Sequence, residues 1–190
     1  MLRSRNFYLL WIAYFFGAMS GLMLISQLVP FATQAGIGSV ALIAMVVGAL
    51  GNASGRILSG WMSDACGRLN VLRLMLFISA VAMPLLSLFS GHVVAFGAGV
   101  FVVYYCFGTL LAVFAATAAD FYGTKHLGMN YGLLFLAWGV SALVAAPVAG
   151  RLFDTFGNYQ YAFLCAAALS LVALTSLMFA RVPGHERSQV

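Results

Sequence analysis

One arginine stands within a long apolar stretch of the sequence and offers the clearest chemistry. Arg56 follows residues 6–55, which contain no Lys, Arg, Asp or Glu. A charged side chain at membrane depth is costly and marks a substrate or ion path. Because a guanidinium can donate two parallel hydrogen bonds to a carboxylate, Arg56 is a candidate ligand for an anionic substrate. The alternative interpretation is that Arg56 extends to the membrane surface or pairs with a nearby carboxylate.

The residues around Arg56 recur at helical spacing. Gly48, Asn52, Arg56, Gly60 and Asp64 are four residues apart, so they lie along one slowly rotating ridge of a helix. Small residues form the neighbouring ridge and permit close approach of a second helix. We therefore expect the polar ridge to face the interior of the helix bundle. The small ridge consists of Gly51, Gly55, Ser59 and Ser63.

Aromatic and amide side chains at helical spacing are candidates for the rest of the site. Tyr131 and Trp138 are seven residues apart on one predicted helix, and Tyr105 lies on another. Gln27 follows Ser20 by seven residues, and the two either face a substrate or form hydrogen bonds between helices. Aromatic residues also fill ordinary helix contacts, so packing is the competing interpretation.

The distribution of charge shows which elements position these side chains. The chain has 190 residues, of which 64% are hydrophobic and 7% charged, and its mean hydropathy is +1.03. This composition excludes an ordinary soluble domain, in which about 25% of residues are charged. A membrane-crossing helix needs about 20 apolar residues. Two long intervals without charge therefore hold two helices each, and two shorter ones hold one each: 6–55, 74–119, 126–150 and 155–180.

The sequence accordingly predicts an all-α membrane protein with six transmembrane helices, because backbone groups in lipid must form hydrogen bonds within their own segment. Turn-forming residues at 34–39 and 90–92 divide the two long intervals. We expect residues 1–190 to form a single six-helix bundle that ends in a cytoplasmic tail at 183–190. The predicted helices cover about residues 7–33, 39–62, 71–89, 93–119, 129–150 and 159–180.

Basic residues are concentrated on one side of the predicted bundle. Six helices place both termini on the same side, which carries seven Lys or Arg residues, whereas the opposite side carries only Arg151. The positive-inside rule then predicts a multi-pass protein of the cell membrane with both termini in the cytoplasm. The net charge of +5 reflects this topology, so we expect membrane lipid and no nucleic acid as a partner. No catalytic triad, metal-ligand cluster or phosphate loop has suitable spacing, so we expect neither an enzyme nor a cofactor.

A short pattern occurs twice. Gly60, Asp64 and Gly67, predicted to lie in the loop after the second helix, recur ninety residues later after the fifth. Each half contains three helices, so the second copy is inverted in the membrane, as in a major class of secondary transporters. The two predicted repeats cover about residues 1–91 and 92–182. The second copy of the pattern is Gly150, Asp154 and Gly157.

The segment from Gly55 to Arg68, G-R-I-L-S-G-W-M-S-D-A-C-G-R, resembles the loop signature of the major facilitator superfamily. The resemblance implies one half of a twelve-helix transporter, and the lack of an arginine within helix 4 favours the C-terminal half. The partner would be an N-terminal six-helix half or a second copy of the chain. In this family the loop is associated with gating, and its residues here are Gly60, Asp64, Gly67 and Arg68.

Three further segments are similar to the oxalate:formate antiporter family: N-F-Y-L-L-W at 6–11, G-L-M-L-I-S-Q at 21–27, and N-Y-G-L-L-F-L-A-W-G at 130–139. This resemblance implies exchange of a small carboxylate by alternating access, with Arg56 at the place of an arginine in the substrate path. Trp138 and Tyr105 would shape the site, and the remaining substrate-binding candidates are Asn52, Gln27 and Tyr131.

Two departures from the family pattern refine the expected substrate. Asn52 stands where proton-coupled monocarboxylate transporters have an aspartate, and an amide cannot carry the coupling proton, which favours exchange. Trp138 stands where oxalate transporters have a lysine, so formate or a longer monocarboxylate matches the single cation better than oxalate does. The alternatives are a carrier for another small solute or drug, and a truncated fragment without transport activity.

Overall fold

The computed structural model describes residues 1–89 and 91–181, so Ser90 of the predicted turn and the predicted tail at 183–190 lie outside the described residues. The described chain is all-α and contains no strand, and six of its helices are long and apolar enough to cross a membrane, which confirms the predicted fold class. The helices are α1 (Arg5–Gln34), α2 (Ala41–Cys66), α3 (Arg68–Leu88), α4 (Val93–Tyr122), α5 (Leu127–Phe156) and α6 (Gln160–Phe179), and a 3-10 turn (Gly38–Val40) precedes α2.

Three helices end at a glycine with a positive φ angle. Gly67, Gly123 and Gly157 follow α2, α4 and α5 with φ values of 87°, 76° and 66°. A side chain would make this backbone conformation costly, so glycine permits the chain to leave the helix here. At α2, the Gly67 N–H donates to the Ser63 carbonyl at 3.1 Å, which completes the last turn.

The predicted position of the repeated pattern was wrong in part. Asp64 lies within α2 rather than in the following loop, whereas Gly60 lies within the helix, as the predicted bounds of 39–62 imply, and Gly67 lies outside it. The second copy behaves in the same way, because α5 continues to Phe156. Charged residues mark where the apolar segment ends, but helical hydrogen bonds continue beyond it for as long as the backbone permits.

The helices differ in how deeply they are packed. In the most apolar part of α1 and of α4, 56% of residues are buried, against 28% in α2 and in α5. α2 packs mainly on α4, and α5 packs mainly on α1. Similarly, α1 packs on α6 and α4 packs on α3. When α1, α2 and α3 are matched to α4, α5 and α6, the α2–α4 pair corresponds to the α5–α1 pair, and the α1–α6 pair to the α4–α3 pair. Inverted repeats of three helices require this symmetry. The boundaries of the repeats stay a prediction.

Polar contacts bring the start of α1 and the end of α6 together. The side-chain amide of Asn6 donates to the Arg181 carbonyl at 2.9 Å. The Arg73 guanidinium on α3 donates to the Leu177 carbonyl at 2.8 and 3.2 Å and to that of Ala180 at 3.3 Å. The Leu177 carbonyl also accepts from the Ala180 backbone N–H at 3.2 Å. The carbonyls at the end of a helix have few donors within the helix, and Arg73 supplies further ones here. The two helix ends therefore lie at the same end of the bundle.

A candidate anion site on the second helix

The site begins with a close contact between α2 and α4. A Cβ added at Gly51 would stand 2.5 Å from the Phe101 carbonyl oxygen, and one at Gly55 would collide with the carbonyl of Tyr105. From the other side, a Cβ at Gly108 would collide with the Asn52 carbonyl. The backbones can approach so closely only because these positions lack side chains. The predicted packing of the small ridge is thereby confirmed.

Hydroxyl groups continue this contact toward the end of α2. Ser59 and Thr109 are both buried, and their hydroxyl oxygens lie 2.6 Å apart. The Ser59 hydroxyl also donates to the Tyr105 hydroxyl at 3.2 Å. A buried hydroxyl without a partner is costly in lipid, so these bonds fix the rotation of α2 about its axis. They also hold the Tyr105 ring beside the turn that carries Arg56.

The polar ridge of α2 does not face the interior of this six-helix bundle, which corrects the sequence-based expectation. Arg56 is exposed and Asn52 is partly exposed. Both line an open groove of about 490 Å³ together with apolar residues of α1 and α4. The small ridge lies against α4 and therefore turns the polar ridge outward. The other lining residues are Leu22, Ile25, Ala49, Ala53, Tyr104 and Phe107.

Arg56 lacks a carboxylate partner among the described residues. Its Nε–H donates to the Asn52 side-chain oxygen at 3.0 Å. The nearest acidic residue along the ridge, Asp64, instead forms an ion pair with Arg68. Pairing with a loop carboxylate, the alternative offered by the sequence, is therefore not observed. An amide holds the guanidinium in place but leaves its positive charge available to a ligand.

Tyr14 forms a buried polar contact that sequence reasoning missed. It is fully buried on α1, and its ring stacks on Phe114 with centroids 4.2 Å apart. Its hydroxyl lies 3.4 Å from that of Tyr131 on α5. The Tyr131 hydroxyl in turn donates to the Leu111 carbonyl at 3.3 Å. Tyr14 and Tyr131 thus form a polar contact between α1 and α5.

Trp138 is held on α5 by stacking. Its ring lies 5.0 Å from that of Phe135, with an angle of 12° between the planes. Phe135 also contacts Tyr131 with a centroid distance of 5.5 Å. The buried Nε1 of Trp138 has no hydrogen-bond partner in the described part of the chain. An indole N–H of this kind is a donor that a bound oxygen atom would satisfy.

Ser20 and Gln27, the two candidates on α1, have different surroundings in the structure. Ser20 is fully buried, and the Ser170 hydroxyl on α6 donates to it at 2.8 Å. Ser20 therefore forms a contact between helices, which was one of the two expected outcomes. Gln27 is partly exposed. Of the predicted substrate-binding residues, Arg56 and Asn52 line the groove, whereas Gln27, Tyr105, Tyr131 and Trp138 do not.

Two residues of the predicted gating pattern, Asp64 and Arg68, belong to a polar cluster at the end of α2. Arg68 pairs with Asp64 and donates to the Ser63 hydroxyl at 2.6 Å. It also donates from Nε to Asp120 on the last turn of α4 at 3.3 Å. Asp120 was not predicted, because it lies 52 residues from Arg68. The cluster fastens α2, α3 and α4 together, whereas Gly60 faces open space.

Comparison with known proteins identifies the family of the chain. The sequence pattern of the Major Facilitator Superfamily matches residues 1–190. The oxalate:formate antiporter of Oxalobacter formigenes is 29% identical over 94% of this chain and 43% of that protein. Monocarboxylate transporter 12 of Rattus norvegicus is 28% identical over the whole chain and 40% of that protein. The chain thus spans less than half the length of these relatives.

Solved structures show the same fold. The fucose:proton symporter FucP of Escherichia coli superimposes with a TM-score of 0.75, covering 95% of this chain and 44% of that one. A second structure of FucP, in the outward conformation, gives the same TM-score over 94% and 43%. The sequence identities are 18% and 22%, so this likeness concerns the fold alone.

Proposed function

The chain belongs to the major facilitator superfamily, and from that premise we propose that it forms half of a secondary transporter for a small monocarboxylate. The substrate site lies beside α2, and the six helices that complete it come from an N-terminal half or a second copy. We call the chain together with these helices the assembled carrier. The similarity to the oxalate:formate antiporter and to monocarboxylate transporter 12 supports this substrate class.

One observation carries the proposal: the guanidinium of Arg56 is open to the groove and is held by an amide rather than a carboxylate. A carboxylate substrate would form a bidentate, charge-assisted pair with it. Because Asn52 is neutral, a single negative charge balances the site. Formate or lactate then fits better than oxalate, which would bring an uncompensated second charge.

The same charge provides a reason for exchange. When a carrier closes around an empty site, the guanidinium loses water without gaining a partner, and an unpaired buried charge is strongly unfavourable. A bound monocarboxylate neutralises it, so the loaded site closes at lower cost. The carrier would then change orientation mainly with an anion bound, which is the behaviour of an exchanger.

Aromatic groups define the rest of the proposed site. Tyr131 and Tyr14 share a hydroxyl contact, and the Trp138 N–H is available as a further donor. The Tyr105 hydroxyl is already occupied by Ser59, so we assign it to positioning α2. Gln27 stays a candidate ligand, because the helices that complete the site would cover the exposed surface of α1.

Counterflow in proteoliposomes tests the proposal. Vesicles that contain the assembled carrier are loaded with unlabelled formate or lactate, and uptake of the labelled anion is measured. We expect uptake only when the vesicles are preloaded, and we expect Arg56→Gln to abolish it while membrane insertion is unchanged. Uptake by Arg56→Gln equal to that of the unchanged carrier would reject the site.

Two controls separate the alternatives. Arg56→Lys keeps the positive charge but not the planar pair of donors, so it should retain part of the uptake. Acetamide, a neutral analogue of acetate, should not exchange. Exchange of acetamide at the rate of the anion would favour a carrier for other small solutes. A fragment without transport activity would show neither counterflow nor stabilisation by carboxylates.

A further inference from the structure

A second basic site lies where the chain enters and leaves the bundle. Arg5 begins α1, and Arg181 follows the last turn of α6. The two arginines line a cavity of about 450 Å³ with Asn6, Met178 and Phe179. This cavity is separate from the groove beside Arg56, with which it shares no residue.

Hydrogen bonds fix the position of Arg181 in this cavity. Asn6 accepts from the Arg181 backbone N–H at 3.5 Å and donates to its carbonyl at 2.9 Å. The carbonyls of Leu177 and Ala180 are satisfied by Arg73. The Arg181 side chain is therefore not required to cap α6, and it lines the same cavity as Arg5.

The two arginines have no acidic counterpart in the described chain. Asp64 and Asp120 are both bound to Arg68, and Asp154 lies on the last turns of α5, at the opposite end of the bundle. None of the described ion pairs includes Arg5 or Arg181. Two guanidinium groups around one cavity form a site for a group with a strong negative charge, such as a phosphate.

The walls of the cavity indicate where this phosphate comes from. Met178 and Phe179 are 62% and 65% exposed beside the two charges, and Tyr8 is 56% exposed one turn further along α1. A soluble phosphate ion gains no contact with exposed apolar side chains, whereas a phospholipid presents its phosphate and its acyl chains together. Basic pockets at the ends of transmembrane helices bind anionic headgroups. An exposed tyrosine near a helix end is typical of the membrane interface.

We propose that Arg5 and Arg181 bind the phosphate of an anionic phospholipid, and that Met178 and Phe179 contact its acyl chains. The bound lipid connects the first and last helices of the bundle at the membrane surface. Its phosphate accepts hydrogen bonds from two arginines that form no ion pair in the described chain, and its negative charge offsets one of their two positive charges. The site is independent of the transported substrate.

Lipid binding to the full chain tests this assignment. The chain is purified in a neutral detergent, and binding of a fluorescent phosphatidylglycerol is measured against an equally labelled phosphatidylcholine. We expect a preference for phosphatidylglycerol in the unchanged chain. The double change Arg5→Gln and Arg181→Gln should weaken phosphatidylglycerol binding about thirtyfold. Lys125→Gln with Arg151→Gln removes the same charge at residues outside the cavity and should retain the preference.

Further arms distinguish the possible outcomes. Arg5→Lys with Arg181→Lys keeps both charges and should keep the lipid preference even if the Gln variant folds poorly. Millimolar inorganic phosphate should not displace the lipid; displacement would identify a site for soluble anions and overturn the lipid assignment. Equal loss of binding in the Lys125→Gln and Arg151→Gln control would also overturn it, because net charge rather than this cavity would then attract the lipid.

Discussion

Arg56 on α2 and Arg68 at the start of α3 have opposite environments. Arg56 has one amide partner and an open groove, whereas Arg68 binds two carboxylates and a hydroxyl. The charge of Arg68 is used within the protein, where it fastens three helices. The charge of Arg56 forms no ion pair with the described residues. The comparison teaches that the partners of an arginine distinguish a structural role from a ligand-binding role. Its position within an apolar stretch of the sequence does not.

The close glycine contacts with α4 should contribute most to the stability of α2, because Arg56 does not connect α2 to another helix. Gly55→Ala would place a Cβ against the Tyr105 carbonyl and force α2 away from α4. We expect the free energy of unfolding in detergent to fall by about 1–3 kcal/mol, measured by titration with sodium dodecyl sulfate. Gly132→Ala is the matched control, because no atom lies within 4 Å of its added Cβ. A similar loss in both variants would contradict the packing assigned to α2.

Placing a carboxylate beside Arg56 should make it resemble Arg68. Asn52→Asp adds an acidic group on the same ridge, four residues before the arginine, and the pair competes with the substrate. We expect the Kd of the assembled carrier for formate to rise about twofold to fivefold, the effect of an exposed ion pair, as measured by calorimetry. Tighter formate binding in this variant would mean that the charge of Arg56 is not what the anion recognises.

Removing one partner of Arg68 should have the smallest effect. Asp120→Asn takes away one carboxylate and leaves Asp64 and Ser63 in place. Because exposed ion pairs contribute little, we expect the free energy of unfolding to fall by about 0.5 kcal/mol and formate binding to stay unchanged. A clear loss of formate binding would show that the two arginines act together, which would break the comparison.

The sequence was sufficient for the architecture. Intervals without charge fixed the number of helices, because the membrane imposes a minimum length on each apolar segment. Four-residue spacing assigned Gly51 and Gly55 to one ridge and Asn52 and Arg56 to the next. The close packing of the glycine ridge followed from side-chain size alone.

Contacts between residues far apart in the chain could not be predicted from the sequence. Spacing shows which residues share a ridge, but not which ridge a neighbouring helix covers, so the outward orientation of Arg56 was not foreseen. Asp120 and Tyr14 look ordinary in the sequence, and their roles arise only when α4 meets α3 and α1 meets α5. One signal in the sequence pointed to Asp120: the chain has only four acidic side chains. Each of them is therefore a candidate partner for an arginine.

Calorimetric titration of the assembled carrier with formate and with lactate tests the central claim most directly, when Arg56→Gln and Arg68→Gln are compared side by side. Both variants lose one positive charge from the same part of the chain. We predict that Arg56→Gln raises the Kd about tenfold to a hundredfold, as expected for loss of a charge-assisted pair, and that Arg68→Gln leaves it unchanged. An unchanged Kd in Arg56→Gln, or equal losses in both variants, would contradict the assignment of Arg56 as the anion ligand.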